Sequence, residues 1–198
     1  MKKLSCHFGA DEFEVSFRPS SSPYHGLYPS VMCPESLPYY STIDDPVIVD
    51  IAGQLEGQMR YDDDFYRSSV ILAFIQNNIK YVSDESRFGK DLWELPIYTM
   101  SNQKADCDGT ASLYTSIAHN MGIDVVSVIV TGHMCSAVNV PGCHGKSYNF
   151  EKKKYYHVET TADLPAIGRC WASMETHYIA RPQVPTEEFK KTLSDSFH

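Results

Sequence analysis

CDGTASLYTSIAHNMG, residues 107–122, decides how the chain is organised. Ala111, Leu113, Tyr114, Ile117, Ala118 and Met121 recur at helical spacing and Gly122 follows as a left-handed cap, so the stretch predicts a helix opened by Cys107. Three strand-like runs come next, at 123–130, 133–140 and 154–160, each rich in Val, Tyr, Thr or Ile, with Pro141-Gly142 marking a turn. Helices followed by a block of closely spaced strands predict an α+β domain in which N-terminal helices pack on an antiparallel sheet.

Upstream, Asp45-Pro46 is a cap and first-turn signal, and Val47, Ile48, Ile51, Leu55 and Met59 continue it as an amphipathic helix. Asp62, Asp63 and Asp64 open a second helix to about Ile79; at a helix start they read as caps rather than as calcium ligands. Residues 12–17 alternate apolar and polar as a half-buried strand does. The prolines between Pro19 and Pro46 argue against regular helix there and for an ordered wrap over the domain. A short strand is expected at 80–83, irregular chain at 84–106, and a solvated hairpin end at Lys152-Lys153-Lys154. The 198 residues read as one domain: a wrap over 1–45, a core over 46–165 and an extension over 166–198.

Composition excludes several classes. With 42% hydrophobic and 21% charged residues the chain is neither disordered nor fibrous. Seventeen basic against 25 acidic residues give a net charge of −8, which repels phosphate backbones, so nucleic acid is not an expected partner. No apolar run approaches the roughly 20 residues of a membrane-spanning helix. The opening Met1-Lys2-Lys3 is basic but meets His7 and Asp11 before any apolar segment, so a cytoplasmic protein with reduced thiols is expected. The six cysteines show no zinc-ligand spacing; an interaction domain stabilised by zinc or disulfides through Cys6, Cys33, Cys143 and Cys170 is the outlying alternative.

A thiol attacks only as thiolate, and Cys107 is the cysteine at a helix N-terminus, where the dipole and free backbone N–H groups favour negative charge. Asp106 and Asp108 oppose that, so a histidine partner is required. His133 opens the strand beyond the helix and Glu159 ends the next strand. Adjacent antiparallel strands can set a base and an orienting carboxylate side by side. Cys135, two residues after His133, shares its strand face, as a wall residue or a second thiol.

Residues 104–113, Met121-Gly122-Ile123-Asp124, Gly132-His133 and Tyr155-Tyr156-His157-Val158-Glu159-Thr160-Thr161 together resemble the transglutaminase-like superfamily in order and spacing, over about residues 65–165. The resemblance implies a papain-like fold and a Cys, His, Asp triad, carried here by Cys107, His133 and Glu159. Glu stands where Asp is usual, which leaves Asp163 as the rival third member, and Ala105 stands where Gly is usual. Trp93, Tyr98 and Gln103 are the candidate side-chain oxyanion donors. The implied function is a cysteine hydrolase or peptidase acting on a peptide or protein amide through a thioester. A transamidating acyltransferase and a non-catalytic binding module of the same fold are the alternatives. No cofactor or metal is implied.

Overall fold

Phe13, Val15 and Phe17 are the inward positions of a strand, β2 (Asp11–Phe17), which pairs antiparallel with β1 (Lys2–Phe8). β1 is not among the expected strands, because only Leu4 and Cys6 mark its buried face. The computed structural model describes residues 1–27, 33–162, 166–170 and 175–195. In the wrap, Tyr24, Leu37 and Tyr40 are buried, and among its described residues the prolines permit only two short 3₁₀ turns and one helical turn, α1 (Leu37–Tyr40).

α2 (Pro46–Glu56) starts where Asp45 accepts the Val47 N–H at 2.9 Å, and Gly57 ends it before Met59. α3 (Asp64–Asn78) is capped by Asp63, whose carboxylate accepts the Tyr66 N–H at 2.9 Å. β3 (Lys80–Tyr81) pairs parallel with β4 (Lys104–Ala105). The stretch expected to be irregular, 84–106, contains two helices besides β4: α4 (Asp84–Phe88), ended by Gly89 in the left-handed region at φ 71°, and α5 (Pro96–Asn102). Five and seven residues are too short to display a helical stripe.

α6 (Cys107–Asn120) is the central element, buried from Asp108 to Ala118. It packs on one face of a five-stranded antiparallel sheet in the order β7-β8-β6-β5-β9. The strands are β5 (Val125–Val130), β6 (His133–Val138), β7 (Ser147–Phe150), β8 (Lys153–Val158) and β9 (Thr176–Ala180). β7 and β9 escape the sequence pattern because both are short edge strands with exposed residues. Glu151 and Lys152 form the β7–β8 turn with positive φ, as the lysine run suggests. β9, from the region expected as an extension, pairs with β5, while Phe189 of α7 (Glu187–Asp195) stacks on Tyr39 and Tyr40.

The helix-facing side of the sheet is partly polar. Ser127 and Ser136 lie opposite each other on β5 and β6, and both bond Thr115 of α6, at 3.3 and 2.9 Å; small hydroxyl residues let helix and sheet approach closely. The other face carries a second core of Val126, Val128, Val130, Cys135, Ala137, Tyr148 and Tyr155. Among the described residues no helix is long and apolar enough to cross a membrane.

Candidate active site

Three chain ends meet beside Cys107: the start of α6, the start of β6 and the chain just past β8. The Thr110 hydroxyl joins α6 to that last segment through Thr160 at 2.8 Å, and Gln76 of α3 donates to the Glu159 carbonyl at 3.1 Å. The Met134 N–H hydrogen-bonds the Cys107 sulfur, tying β6 to α6. Cys107 and His133 line one cavity of about 280 Å³ with Asp91, Trp93, Asp108, Ile129, Val130, Gly132, Met134 and His177.

His133 Nε2 lies 3.0 Å from Glu159 Oε2, so Nδ1 is the ring nitrogen left for the cavity. Glu159 Oε1 accepts the Thr161 N–H at 3.0 Å and its hydroxyl at 2.6 Å, and His157 Nε2 lies 3.4 Å from Oε2. Burial by itself would raise the Glu159 pKa. Hydrogen bonds from His133, His157 and Thr161 outweigh it and hold the carboxyl well below its ordinary value. Asp163 lies outside the described residues.

The thiol behaves differently from the expectation of a lowered pKa. Burial first, then the charges of Asp106, Asp108 and Asp91, push Cys107 up to about 12, against the opposing Met134 hydrogen bond. A helix N-terminus is a weak influence when the sulfur is desolvated and flanked by two carboxylates. Ionisation here requires a proton acceptor at the sulfur.

The flanking aspartates build the cavity wall. Asp108 Oδ2 accepts the Glu94 N–H at 2.7 Å, Asp106 Oδ2 the Asp84 N–H at 3.3 Å, and Asp84 in turn the Leu92 N–H at 3.2 Å. Residues 84–94 are thereby strapped to the start of α6, which carries Trp93 and Asp91 to the cavity. Arg87 ion-pairs with buried Glu94 at 2.5 Å and with Asp84 at 3.4 Å. Burial is the leading cause that raises Asp84 to about 7 and Glu94 to about 8. A Cβ at Gly109 would lie 2.8 Å from Ala105 Cβ, Glu94 Oε2 and Thr99 Oγ1, so only glycine fits two residues after the cysteine. Carboxylate oxygens of Asp84, Asp91 and Asp106 lie within 4.8 Å of one another, as do ligand atoms of Asp106, Cys107 and Asp108; these are the groups able to approach a cation. Sequence reading missed this cluster because its members come from three separate segments.

Of the oxyanion candidates, Trp93 lines the cavity, Tyr98 lines another with Tyr24 and His25, and Gln103 ends α5 at φ 53° with its carbonyl bonded to the Lys80 N–H. Cys135 is buried behind the site, its sulfur 3.5 Å from the Tyr148 hydroxyl. None of the six cysteines is in a disulfide. Among the described residues, no group of neighbouring metal-ligating atoms includes Cys6, Cys33, Cys143 or Cys170.

No protein-family model matches the chain, and neither does any curated protein sequence. Among solved structures, it is similar in fold to a proposed cysteine protease from Cytophaga hutchinsonii, with a TM-score of 0.51, 16% identity and coverage of 79% of this chain. The match spans 46% of that protein's length. A weaker likeness, at TM-score 0.48 and 11% identity over 69% of this chain and 71% of the other, is to Legionella pneumophila LapG.

Proposed function

We propose that the protein is a cysteine peptidase or amidase of transglutaminase-like type, with Cys107 as nucleophile, His133 as general base and acid, and Glu159 as orienting carboxylate. The observation that carries this reading is the 3.0 Å contact between His133 Nε2 and Glu159, made by a histidine that shares a cavity with the helix-opening Cys107. Nδ1 of His133 takes the thiol proton as the sulfur attacks the amide carbon, and returns it to the leaving amine. Water then cleaves the thioester, releasing the acid and restoring the thiol. Backbone N–H groups of the first turn of α6 and the Trp93 indole are the donors available to the oxyanion. Ile129, Val130, Met134 and Trp93 make the cavity largely apolar, suited to an apolar side chain of a peptide substrate beside the cleaved bond.

The raised thiol pKa favours the second reading, a non-catalytic peptide-binding module of the same fold. Alkylation mapping with iodoacetamide near neutral pH, followed by a peptide and amide substrate screen, separates the two. Selective modification of Cys107, with turnover abolished in Cys107→Ala, is expected of the enzyme. A Cys107 that labels more slowly than exposed Cys33, with no amide turnover, overturns it.

A further inference from the structure

His157 has no access to solvent and takes no part in the chemistry proposed above, yet it stands directly behind it. Its Nδ1 is 2.9 Å from the Tyr148 hydroxyl, whose oxygen is 3.5 Å from the Cys135 sulfur. Its Nε2 is 3.4 Å from Glu159 Oε2, the oxygen that also meets His133, in a contact without hydrogen-bond geometry, so this buried nitrogen has no hydrogen-bond partner among the described residues. A buried imidazole has two neutral tautomers. With the proton on Nδ1, the lone pair of Nε2 would face a carboxylate oxygen with nothing between them. With the proton on Nε2, the Tyr148 hydroxyl donates to Nδ1, the Cys135 thiol donates to Tyr148, and the ring N–H is the group that lies 3.4 Å from the carboxylate oxygen. Every donor then points toward Glu159.

The ring is also held from its backbone. His157 N–H donates to the Lys146 carbonyl at 3.0 Å, and Gly168 N–H donates to the His157 carbonyl at 2.7 Å. Gly145 and Gly168 approach so closely that a Cβ on either would lie within 2.3 Å of the other segment, which presses this strap against β8. The titratable and charged groups around the ring are Tyr148, Cys135, Glu159 and His133, with Lys146 over the Tyr148 ring at 5.3 Å and Cys170 in electrostatic reach of Tyr148.

We propose that His157 is a positioning residue for His133: as a neutral Nε2–H imidazole fixed by Tyr148, it presents its N–H dipole at 3.4 Å to the Glu159 oxygen shared with His133 and so acts on the carboxylate that orients His133. The consequence for chemistry rests on the reading of His133 as the base. With His133 bonded to Oε2, two Thr161 donors on Oε1 and the His157 ring close against Oε2, the carboxylate cannot rotate without breaking a bond, so Nδ1 of His133 stays directed away from it.

Nitrogen-15 NMR of the histidine rings tests this without needing turnover. In the wild-type protein near neutral pH, His157 is expected as the Nε2–H tautomer. An imidazolium or an Nδ1–H ring overturns the proposal outright, whether or not any variant folds. His157→Leu removes the N–H beside the carboxylate and should change the ring-nitrogen resonances of His133, which report its bond to Glu159; His157→Gln retains a side-chain N–H and should bring them back. Unchanged His133 resonances in a folded Leu variant, or a change that Gln fails to restore, assign His157 to packing and overturn the proposal. The peptidase reading fails separately, on slow alkylation of Cys107 in the wild type.

Discussion

Glu159→Gln exchanges one carboxylate oxygen for an NH₂ at almost constant volume, and every position that the new amide nitrogen can take already faces a donor. Facing Thr161 it meets an N–H and an O–H at 3.0 and 2.6 Å; facing His133 it meets Nε2 at 3.0 Å. The second arrangement is relieved only if His133 moves its proton to Nδ1, the atom that must accept from Cys107. Either outcome strands buried donors, at a cost of about 1–3 kcal/mol. The chemical effect is larger. Burial and the neighbouring aspartates push Cys107 up to about 12, so it ionises only by passing its proton to a base, and Glu159→Gln takes away the Nδ1 lone pair that would receive it. Second-order alkylation of Cys107 by iodoacetamide, followed by mass spectrometry against the exposed Cys33 as internal standard, reads this directly. In the wild type Cys107 should outpace Cys33; in Glu159→Gln it should lag behind Cys33, and any amide turnover should fall by up to about ten-thousandfold. Glu159→Asp should lie between. If Glu159→Gln melts normally and alkylates at the wild-type rate, the carboxylate does not govern His133 and the reasoning fails.

Gly109→Ala places a methyl 2.8 Å from three atoms and should destabilise by about 1–3 kcal/mol, lowering the melting temperature by several degrees; an unchanged melt would mean that α5 and α6 yield more freely than their packing implies. Asp84 and Glu94 carry pKa values raised to about 7 and about 8, so the folded state retains protons that the unfolded chain releases near pH 4, and stability from this cluster should decline as pH rises from about 4.5 to about 8. Denaturant titrations at both ends of that window check the sign, and Glu94→Gln should flatten the slope. Glu159, with its pKa depressed, acts oppositely: its contribution is present above the ordinary carboxylate value near 4.5 and is lost as pH falls below it, so Glu159→Gln should be less acid-sensitive than the wild type. Cys135→Ala, behind the cavity, should leave Cys107 alkylation within about twofold of wild type, and native Cys135 should resist labelling until the protein unfolds.

Local pattern alone determined a good part of this protein. The apolar stripe of residues 111–121 makes a helix that Cys107 opens, the alternation in 12–17 and the valine-rich run of 125–130 make strands, and Asp45 and Asp63 cap the helices that follow them. Each of these signals is written within a few residues, where spacing and capping act. His133 and Glu159 were legible as strand-end residues for the same reason. What only the tertiary structure decided depends on residues far apart in the chain. The order β7-β8-β6-β5-β9 recruits two edge strands too short and exposed to announce themselves. The aspartates beside Cys107 bind the backbone of residues 84–94, and burial, more than those charges, pushes the Cys107 thiol up where the helix start would lower it. His157, an unremarked strand residue in the sequence, becomes the second imidazole on Glu159 because the sheet's far face closes over it. Hydrogen-bond patterning along a helix or strand is a short-range property; desolvation and the convergence of charges exist only once distant segments have packed together.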